Sequence, residues 1–132
     1  MQKILFVCIH NSGRSRMAEE FLNAYGADKA TADSAGTAPG SDVNPTVAEA
    51  MAELGFDLRR KKPQLLTPEM IAAADRVITM GCLKDEGVCP VTFTPSEDWG
   101  LPDPKGKDIA AVRQIRDDIR RRVMELVADI RD

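Results

Sequence analysis

The chain has 132 residues, of which 43% are hydrophobic and 5% aromatic, and this predicts a single domain over residues 1–132 with an aliphatic core. The formal net charge of −3 argues against a nucleic-acid or membrane surface, and no apolar stretch approaches the roughly 20 residues of a membrane-spanning helix. Because the N-terminus also lacks the plan of a signal peptide, we expect a cytoplasmic monomer.

Strands and helices alternate along the chain with no evident linker or repeat. In chain order the pattern predicts a strand over 3–8, a helix over 14–25, a strand over 31–35, a helix from Pro45 to Gly55, a short helix from Pro68, a strand over 76–80, a strand over 92–99 that Pro95 interrupts, and a helix over 108–130. We therefore predict an α/β fold, a doubly wound parallel sheet of about four strands flanked by helices. Ligands bind such sheets at the carboxyl ends of the strands.

Polar and charged residues mark the helix ends and surfaces. Asn44-Pro45 and Thr67-Pro68 each place an N-cap residue before a proline at the first helical position. Charges four residues apart on the last helix predict three surface ion pairs: Arg113–Asp117, Asp117–Arg121 and Asp118–Arg122. The basic run 59–62 is interpreted as a solvated loop, or alternatively as a surface for an acidic partner.

The first strand ends at Cys8, and the loop after it reaches Arg14 where a helix begins. A loop of this length can turn its backbone N–H groups inward, and the helix N-terminus adds positive potential, so we predict a site for a tetrahedral oxyanion. The same surroundings lower the pKa of a thiol from about 8.5, which makes Cys8 the candidate nucleophile. The predicted anion-binding residues are Ile9, His10, Asn11, Ser12, Gly13, Arg14 and Ser15.

Individual residues of this loop suggest individual roles. Arg14 offers a planar pair of donors that matches two oxygens of the anion. Ser15 is placed to donate its hydroxyl to the sulfur, Gly13 lets the backbone approach the ligand, and His10 is interpreted as a structural loop residue. Taken alone, Cys8 and Arg14 are also compatible with a buried structural thiol and a solvated guanidinium.

Asp103-Pro104 is a second element of the predicted site. Displacing an oxygen from an oxyanion requires a proton donor on the leaving group, and Asp103 on a loop over the anion could supply it. A proline-flanked surface turn is the alternative interpretation. Together with the Cys8 loop, the catalytic interpretation is favoured.

Cys82 and Cys89 are the other two cysteines, and Cys82 follows the strand over 76–80 directly. Three cysteines in a chain without a secretion signal cannot all pair structurally, which favours a redox role over two unrelated thiols. A zinc site is disfavoured because the chain has one histidine and a closed site needs four ligands. Gly81 and Gly87 favour a mobile, exposed segment. We predict no metal and no cofactor.

These residues resemble the low-molecular-weight protein tyrosine phosphatase fold, and within it the thioredoxin-coupled arsenate reductases. The resemblance covers essentially the whole chain, and its matching segments are residues 8–19, Ser34-Ala35-Gly36, Asn44-Pro45 and residues 99–104. Cys82 and Cys89 favour the reductases over the phosphatases.

The resemblance implies a relay of three thiols. Cys8 attacks arsenate while Asp103 protonates the departing oxygen, Cys82 then attacks Cys8 and releases arsenite, and Cys89 moves the disulfide to the surface. Thioredoxin would reduce the resulting Cys82–Cys89 disulfide. Because Cys82 must bond to two partners in turn, we also predict a helix-to-loop switch over 82–89.

Some reductases of this kind carry a potassium site whose residues match Asn11, Glu19 and Ser34, together with an aspartate. The nearest counterpart of that aspartate is Gln64, so we do not predict a metal here. Two rival functions stay open. One is a phosphatase for phosphotyrosine or small phosphoesters, against which Lys105 stands where an aromatic residue often lines a phosphotyrosine pocket; the other is a non-enzymatic anion or redox sensor.

Overall fold

The structure, a computed structural model, describes residues 1–80 and 97–130. The elements in chain order are β1 (Gln2–Cys8), α1 (Arg14–Tyr25), β2 (Ala30–Gly36), α2 (Pro45–Ala52), a short 3₁₀ helix (Leu58–Arg60), α3 (Pro68–Ala73), β3 (Arg76–Thr79), β4 (Glu97–Asp98) and α4 (Ile109–Asp129). Residues 81–96, and with them Cys82, Cys89 and part of the predicted strand 92–99, lie outside the described residues.

The four strands form one parallel sheet in the order β2-β1-β3-β4. The predicted doubly wound α/β fold is confirmed. β1 is central, and its register places Cys8 beside Gly36 of β2 and Val7 beside Thr79 of β3. All of these strands therefore end at the same edge of the sheet, where the Cys8 loop begins.

Alternate residues of β1 pack into cores on opposite faces of the sheet. Ile4, Phe6 and Cys8 face the larger core, which α1, α2 and α4 cover. Leu5 and Val7 face a smaller core, which α3 and the segment before it cover. A strand with apolar residues on both faces reads as a continuous apolar run, which is why the sequence around β1 was a clear signal.

The predicted helix starts are present. The Asn44 side chain accepts hydrogen bonds from the backbone N–H groups of Thr46 and Val47, and Thr67 caps α3 by accepting from Met70 N. α2 ends at Ala52, earlier than the predicted Gly55, because the chain turns there and Gly55 takes a left-handed φ of 88°. None of the helices within residues 1–80 and 97–130 is long and apolar enough to cross a bilayer.

The ion pairs of α4 differ in part from those predicted. Asp118 and Arg122 pair at 3.9 Å as expected. Arg113 instead reaches across to Glu53 at the end of α2, with Nη2 and Oε2 2.6 Å apart, and Arg121 pairs with Asp118 and Glu125. The predictions of Arg113–Asp117 and Asp117–Arg121 were wrong, because spacing along one helix takes no account of a neighbouring helix or of a partner three residues away.

Candidate active site

The loop after β1 is held open by its neighbours' backbone. The carbonyl groups of Cys8, Ile9, His10 and Ser12 accept hydrogen bonds from the N–H groups of Thr37, Ala38, Gly40 and Asn44 respectively, at 2.8–3.2 Å. A trans peptide that points its carbonyl outward points its N–H the other way. The segment 37–44 thus fixes the loop from its carbonyl side, and the Asn11 N–H, which follows the His10 carbonyl, points to the Cys8 sulfur. Sequence reasoning did not find this contribution.

Two donors converge on the Cys8 sulfur, which is buried. The Asn11 backbone N–H donates to Sγ at 3.2 Å, and the Ser15 hydroxyl lies 2.8 Å from it. Asn11 Nδ2 donates to Ser15 Oγ at 2.8 Å, so the hydroxyl keeps its own proton free for the sulfur. Both groups are placed to donate to the sulfur of a cysteine acting as a nucleophile.

Arg14 and Asp103 both line the cavity above the loop. Arg14 is the first residue of α1, and its buried guanidinium donates through Nη1 to the Leu101 carbonyl at 2.7 Å. Asp103 follows on the same late segment, half-buried, with Oδ1 accepting from Lys105 N at 3.0 Å. The contact with Leu101 joins Arg14 to the segment that carries Asp103.

Close packing brings the late segment over the loop. The Trp99 N–H donates to the Thr79 carbonyl at 2.8 Å, and the Trp99 ring packs on Phe6 with ring centroids 5.6 Å apart. A Cβ placed on Gly13 would lie only 2.9 Å from Pro104 Cγ. Gly13 therefore permits the close approach of Pro104, and with it of Asp103.

The cavity has a volume of about 600 Å³. The predicted site residues that line it are Cys8, His10, Ser12, Gly13, Arg14 and Asp103. Asn11 and Ser15 are buried beneath it, and Ile9 lies beside it without lining it. The predicted relay residues Cys82 and Cys89 lie outside the described residues.

The cavity rim also contains residues that sequence reasoning missed. They include Gly40, Asp42, Arg59 and Lys105. Spacing gave no signal for them, since they come from three separate parts of the chain.

His10 makes a contact between the loop and the segment that holds it, because its Nδ1 donates to the Ala38 carbonyl at 3.1 Å.

Gly36 is a further functional position, and its signal was present in the sequence as the end of the second strand. A Cβ on Gly36 would lie 2.5 Å from the Ile9 carbonyl oxygen and 2.9 Å from Asn11 N. No other residue fits there without displacing the loop backbone. The strand pairing that sets Gly36 beside Cys8 explains why this position needs a glycine.

Lys61 corrects the interpretation of 59–62 as a solvated run. Arg59, Arg60 and Lys62 are exposed, but Lys61 Nζ lies 2.8 Å from Glu19 Oε2 and 2.9 Å from Asp33 Oδ1. Burial alone lowers the pKa of Lys61, yet the hydrogen bonds to Glu19 and Asp33 outweigh it and raise that pKa above its ordinary value. Lys61 is therefore a charged member of a network below the loop.

Comparison with known proteins agrees with the fold. The low molecular weight phosphotyrosine protein phosphatase family matches residues 3–132. A relative from Synechocystis sp., a glutaredoxin arsenate reductase, is 37% identical over 134 residues, which covers 98% of this chain and 99% of that protein.

Two solved structures extend the comparison. An arsenate reductase in the phosphate binding state has a TM-score of 0.83 at 34% identity and covers 99% of this chain and 100% of its own. The thioredoxin-dependent arsenate reductase of Corynebacterium glutamicum has a TM-score of 0.76 at 36% identity, over 96% of this chain and 60% of that one.

The fold, the Cys8 loop and the family match together define the class: the chain belongs to the low molecular weight phosphotyrosine protein phosphatase family. Within that family it groups with the arsenate reductases, which the full-length relatives represent at 34–37% identity. The resemblance predicted from the sequence motifs is confirmed.

Proposed function

We propose that this protein reduces arsenate to arsenite, with Cys8 as the nucleophile and a thioredoxin-type protein as the source of electrons. The observation that carries the proposal is the Cys8 sulfur, held by Asn11 N and Ser15 Oγ in a cavity that Arg14 and Asp103 also line. The names of the relatives support arsenate as the oxyanion.

The first step is displacement at arsenic. Arsenate binds with its oxygens toward the loop N–H groups and the Arg14 guanidinium, and the Cys8 thiolate attacks arsenic. An S–As bond forms as an As–O bond breaks, and the oxygen leaves as water after taking a proton from Asp103. Arsenic stays pentavalent in this adduct.

The second step moves two electrons. The Cys82 thiolate attacks Cys8 Sγ, an S–S bond forms, and the electron pair of the broken S–As bond stays on arsenic, which leaves as trivalent arsenite. Cys89 then attacks Cys82, which frees Cys8 as a thiolate. The dithiol of the reductant reduces the Cys82–Cys89 disulfide and is itself oxidised.

This cycle suits a reducing compartment such as the cytoplasm, because the thiols must return to their reduced form. One chain supplies every group named above, so the proposal needs only a monomer. Among the described residues that line the cavity there is no Phe, Tyr or Trp side chain, which weighs against phosphotyrosine as a substrate.

A single-turnover experiment tests the proposal. Fully reduced protein is mixed with excess arsenate and no reductant, and arsenite and free thiols are counted. We expect one arsenite per chain and a fall from the chain's three thiols to one. Unchanged thiols and no arsenite, with hydrolysis of an aryl phosphate by the same sample, would overturn the proposal in favour of a phosphatase.

A further inference from the structure

We infer that the Lys61 ammonium is a built-in cation that positions the Cys8 loop through Glu19, Ser34 and Asn11, the residues that match the potassium site of some reductases of this kind. The inference concerns the same site and rests on the proposed role of Cys8 as the nucleophile. Lys61 is a positioning residue, since its ammonium acts on the sulfur only through the side chains between them.

A continuous chain of hydrogen bonds starts at the ammonium. Lys61 Nζ donates to Glu19 Oε2 at 2.8 Å, and the other oxygen, Oε1, accepts from the Ser34 hydroxyl at 2.6 Å. Because the Ser34 proton is directed at Glu19, Ser34 Oγ accepts from Asn11 Nδ2 at 2.9 Å. The charge of the Glu19 carboxylate thus sets the direction of each bond.

The chain ends at the nucleophile. Asn11 Nδ2 uses its second hydrogen on Ser15 Oγ at 2.8 Å, and Ser15 Oγ lies 2.8 Å from Cys8 Sγ. The Asn11 amide is buried, and its backbone holds a left-handed φ of 51° that directs its N–H to the sulfur at 3.2 Å. Asn11 therefore connects the network to both donors at Cys8: its own backbone N–H and the Ser15 hydroxyl.

The oxygens of this cluster do not suit a potassium ion. Asn11 Oδ1 accepts from Gln64 N at 2.9 Å, which turns the NH₂ group of Asn11 toward Ser34. Ser34 Oγ already accepts one hydrogen bond and donates another. Of the three matching residues, only Glu19 carries a negative charge, and both of its carboxylate oxygens already contact a cation, Oε1 that of Arg16 and Oε2 that of Lys61.

Lys61 also helps to neutralise the buried carboxylate of Glu19. Glu19 is 7% exposed, and a buried carboxylate is costly unless cations pair with it. Arg16 Nη1 contacts Glu19 Oε1 at 2.7 Å, and Lys61 bridges Glu19 to the half-exposed Asp33. Arg16 Nη2 also lies 3.8 Å from Glu20, which pairs with the exposed Arg60 at 3.2 Å. The three carboxylates and three cations of this group sum to zero, so removing the Lys61 ammonium leaves one excess negative charge beside the loop.

The test measures the reactivity of Cys8 directly, without arsenate. In a Cys82→Ser, Cys89→Ser background, in which Cys8 is the only thiol, the rate of alkylation by iodoacetamide is followed against pH. We expect Lys61→Met to lower the rate at neutral pH about tenfold and to move the midpoint of the profile upward, since a shift of one pH unit is tenfold in thiolate. Lys61→Arg, which keeps the positive charge, should react at the rate of the protein with Lys61. Lys62→Met, at the exposed neighbour, should also react at that rate.

Replacing potassium by choline at constant ionic strength should leave the rate of the Lys61 protein unchanged. If Lys61→Met does not fold by circular dichroism, Lys61→Gln, which keeps a donor to Glu19 without the charge, takes its place with the same expected loss. A folded, uncharged variant that alkylates like Lys62→Met overturns the inference, as does a potassium-specific increase with Lys61 in place. A protein that passes these tests yet forms no arsenite would contradict the proposed function and leave the role of Lys61 standing.

Discussion

At the residue scale, Cys8, the proposed nucleophile, is surrounded by residues that take no part in the proposed chemistry but shape its loop. Gly36 leaves room for the loop backbone, and Asn11 orients the donors at the sulfur. Gly13 lets Pro104 close over the loop and so brings Asp103 to the cavity. Substitutions at these positions should therefore alter the activity of Cys8 without touching it.

Gly36→Ala should reduce turnover strongly, because its Cβ would lie 2.5 Å from the Ile9 carbonyl oxygen, and backbone in a packed loop cannot move aside cheaply. The matched control is Gly40→Ala, at the same cavity, where the nearest atom would be 3.7 Å away. Steady-state arsenate reduction and the melting temperature are measured for both variants. Full activity in Gly36→Ala would show that the loop does not need this close approach.

Asp103→Asn should lower the maximal rate of arsenate reduction about 10²–10⁴-fold, because the amide cannot donate a proton to the leaving oxygen. Anion binding should change little. Asp42→Asn is the control, since Asp42 lines the same cavity and its Oδ1 also accepts a backbone N–H, that of Val43, at 2.9 Å. Equal rates for the two variants would remove Asp103 from the mechanism.

At the element scale, α2 and α4 are joined by charged side chains at the end of α2. Glu53 accepts from Arg113 at 2.6 Å and from Arg116 Nη1 at 2.8 Å, and Arg116 also donates to the Ala50 carbonyl at 2.8 Å. The orphan carbonyl of a helix end and a carboxylate are thus satisfied by the same guanidinium. α2 directly follows the segment 37–44 that holds the Cys8 loop, so the contact between α2 and α4 helps to fix that segment.

The stabilisation that Glu53 provides through Arg113 and Arg116 should be lost at acid pH. Hydrogen bonds from Arg113 and Arg116 lower the pKa of Glu53 from 4.5 to about 2. A carboxyl whose pKa is depressed by folding stabilises the protein above its unfolded value, and this contribution is lost as the pH falls through the folded value. In urea unfolding, the deficit in unfolding free energy of Glu53→Gln against wild type should be largest above about pH 4.5 and shrink toward pH 2. A deficit that is constant over this range would contradict the assignment.

Many of the strands and helix caps were predictable from the sequence, and the features that were missed have physical causes. β1 and the caps at Asn44 and Thr67 rest on local patterns, so they were found. The partners of Arg113 and Lys61 were not, because each bonds to a residue more than twenty positions away that is near only in the folded chain. The Cys8 loop was found from its residue types, whereas the segment 37–44 that holds it contributes backbone, which leaves no mark on composition.

At the scale of the whole molecule, the cavity gathers distant parts of the chain at the carboxyl edge of the sheet. Cys8 is supplied by β1, Arg14 by α1, and Asp103 by the segment after β4. Such a site exists only when the sheet is complete, so activity reports on the entire fold. Whether the relay works in turn depends on Cys82 and Cys89 reaching this edge in sequence.

The relay carries a prediction about motion. Cys82 and Cys89 would lie about 10.5 Å apart along a helix, and a disulfide needs Cα atoms within about 7 Å, so a helical segment would have to unwind to join them. We expect hydrogen exchange over 82–89 to become faster on oxidation, while β1 and α4 stay protected. Identical exchange in the reduced and oxidised proteins would contradict the predicted switch.

Multiple turnover with a defined electron source is the decisive test of arsenate reduction by the three-thiol relay. Reduced protein is supplied with thioredoxin, thioredoxin reductase and NADPH, and arsenate-dependent NADPH oxidation and arsenite are followed together, with glutaredoxin as the alternative donor. We expect one arsenite per NADPH with thioredoxin, and no turnover for Cys8→Ser, Cys82→Ser or Cys89→Ser, of which only Cys8→Ser also loses aryl phosphate hydrolysis. Wild-type protein that hydrolyses aryl phosphate but oxidises no NADPH with arsenate, or Cys89→Ser that still cycles, would contradict the relay.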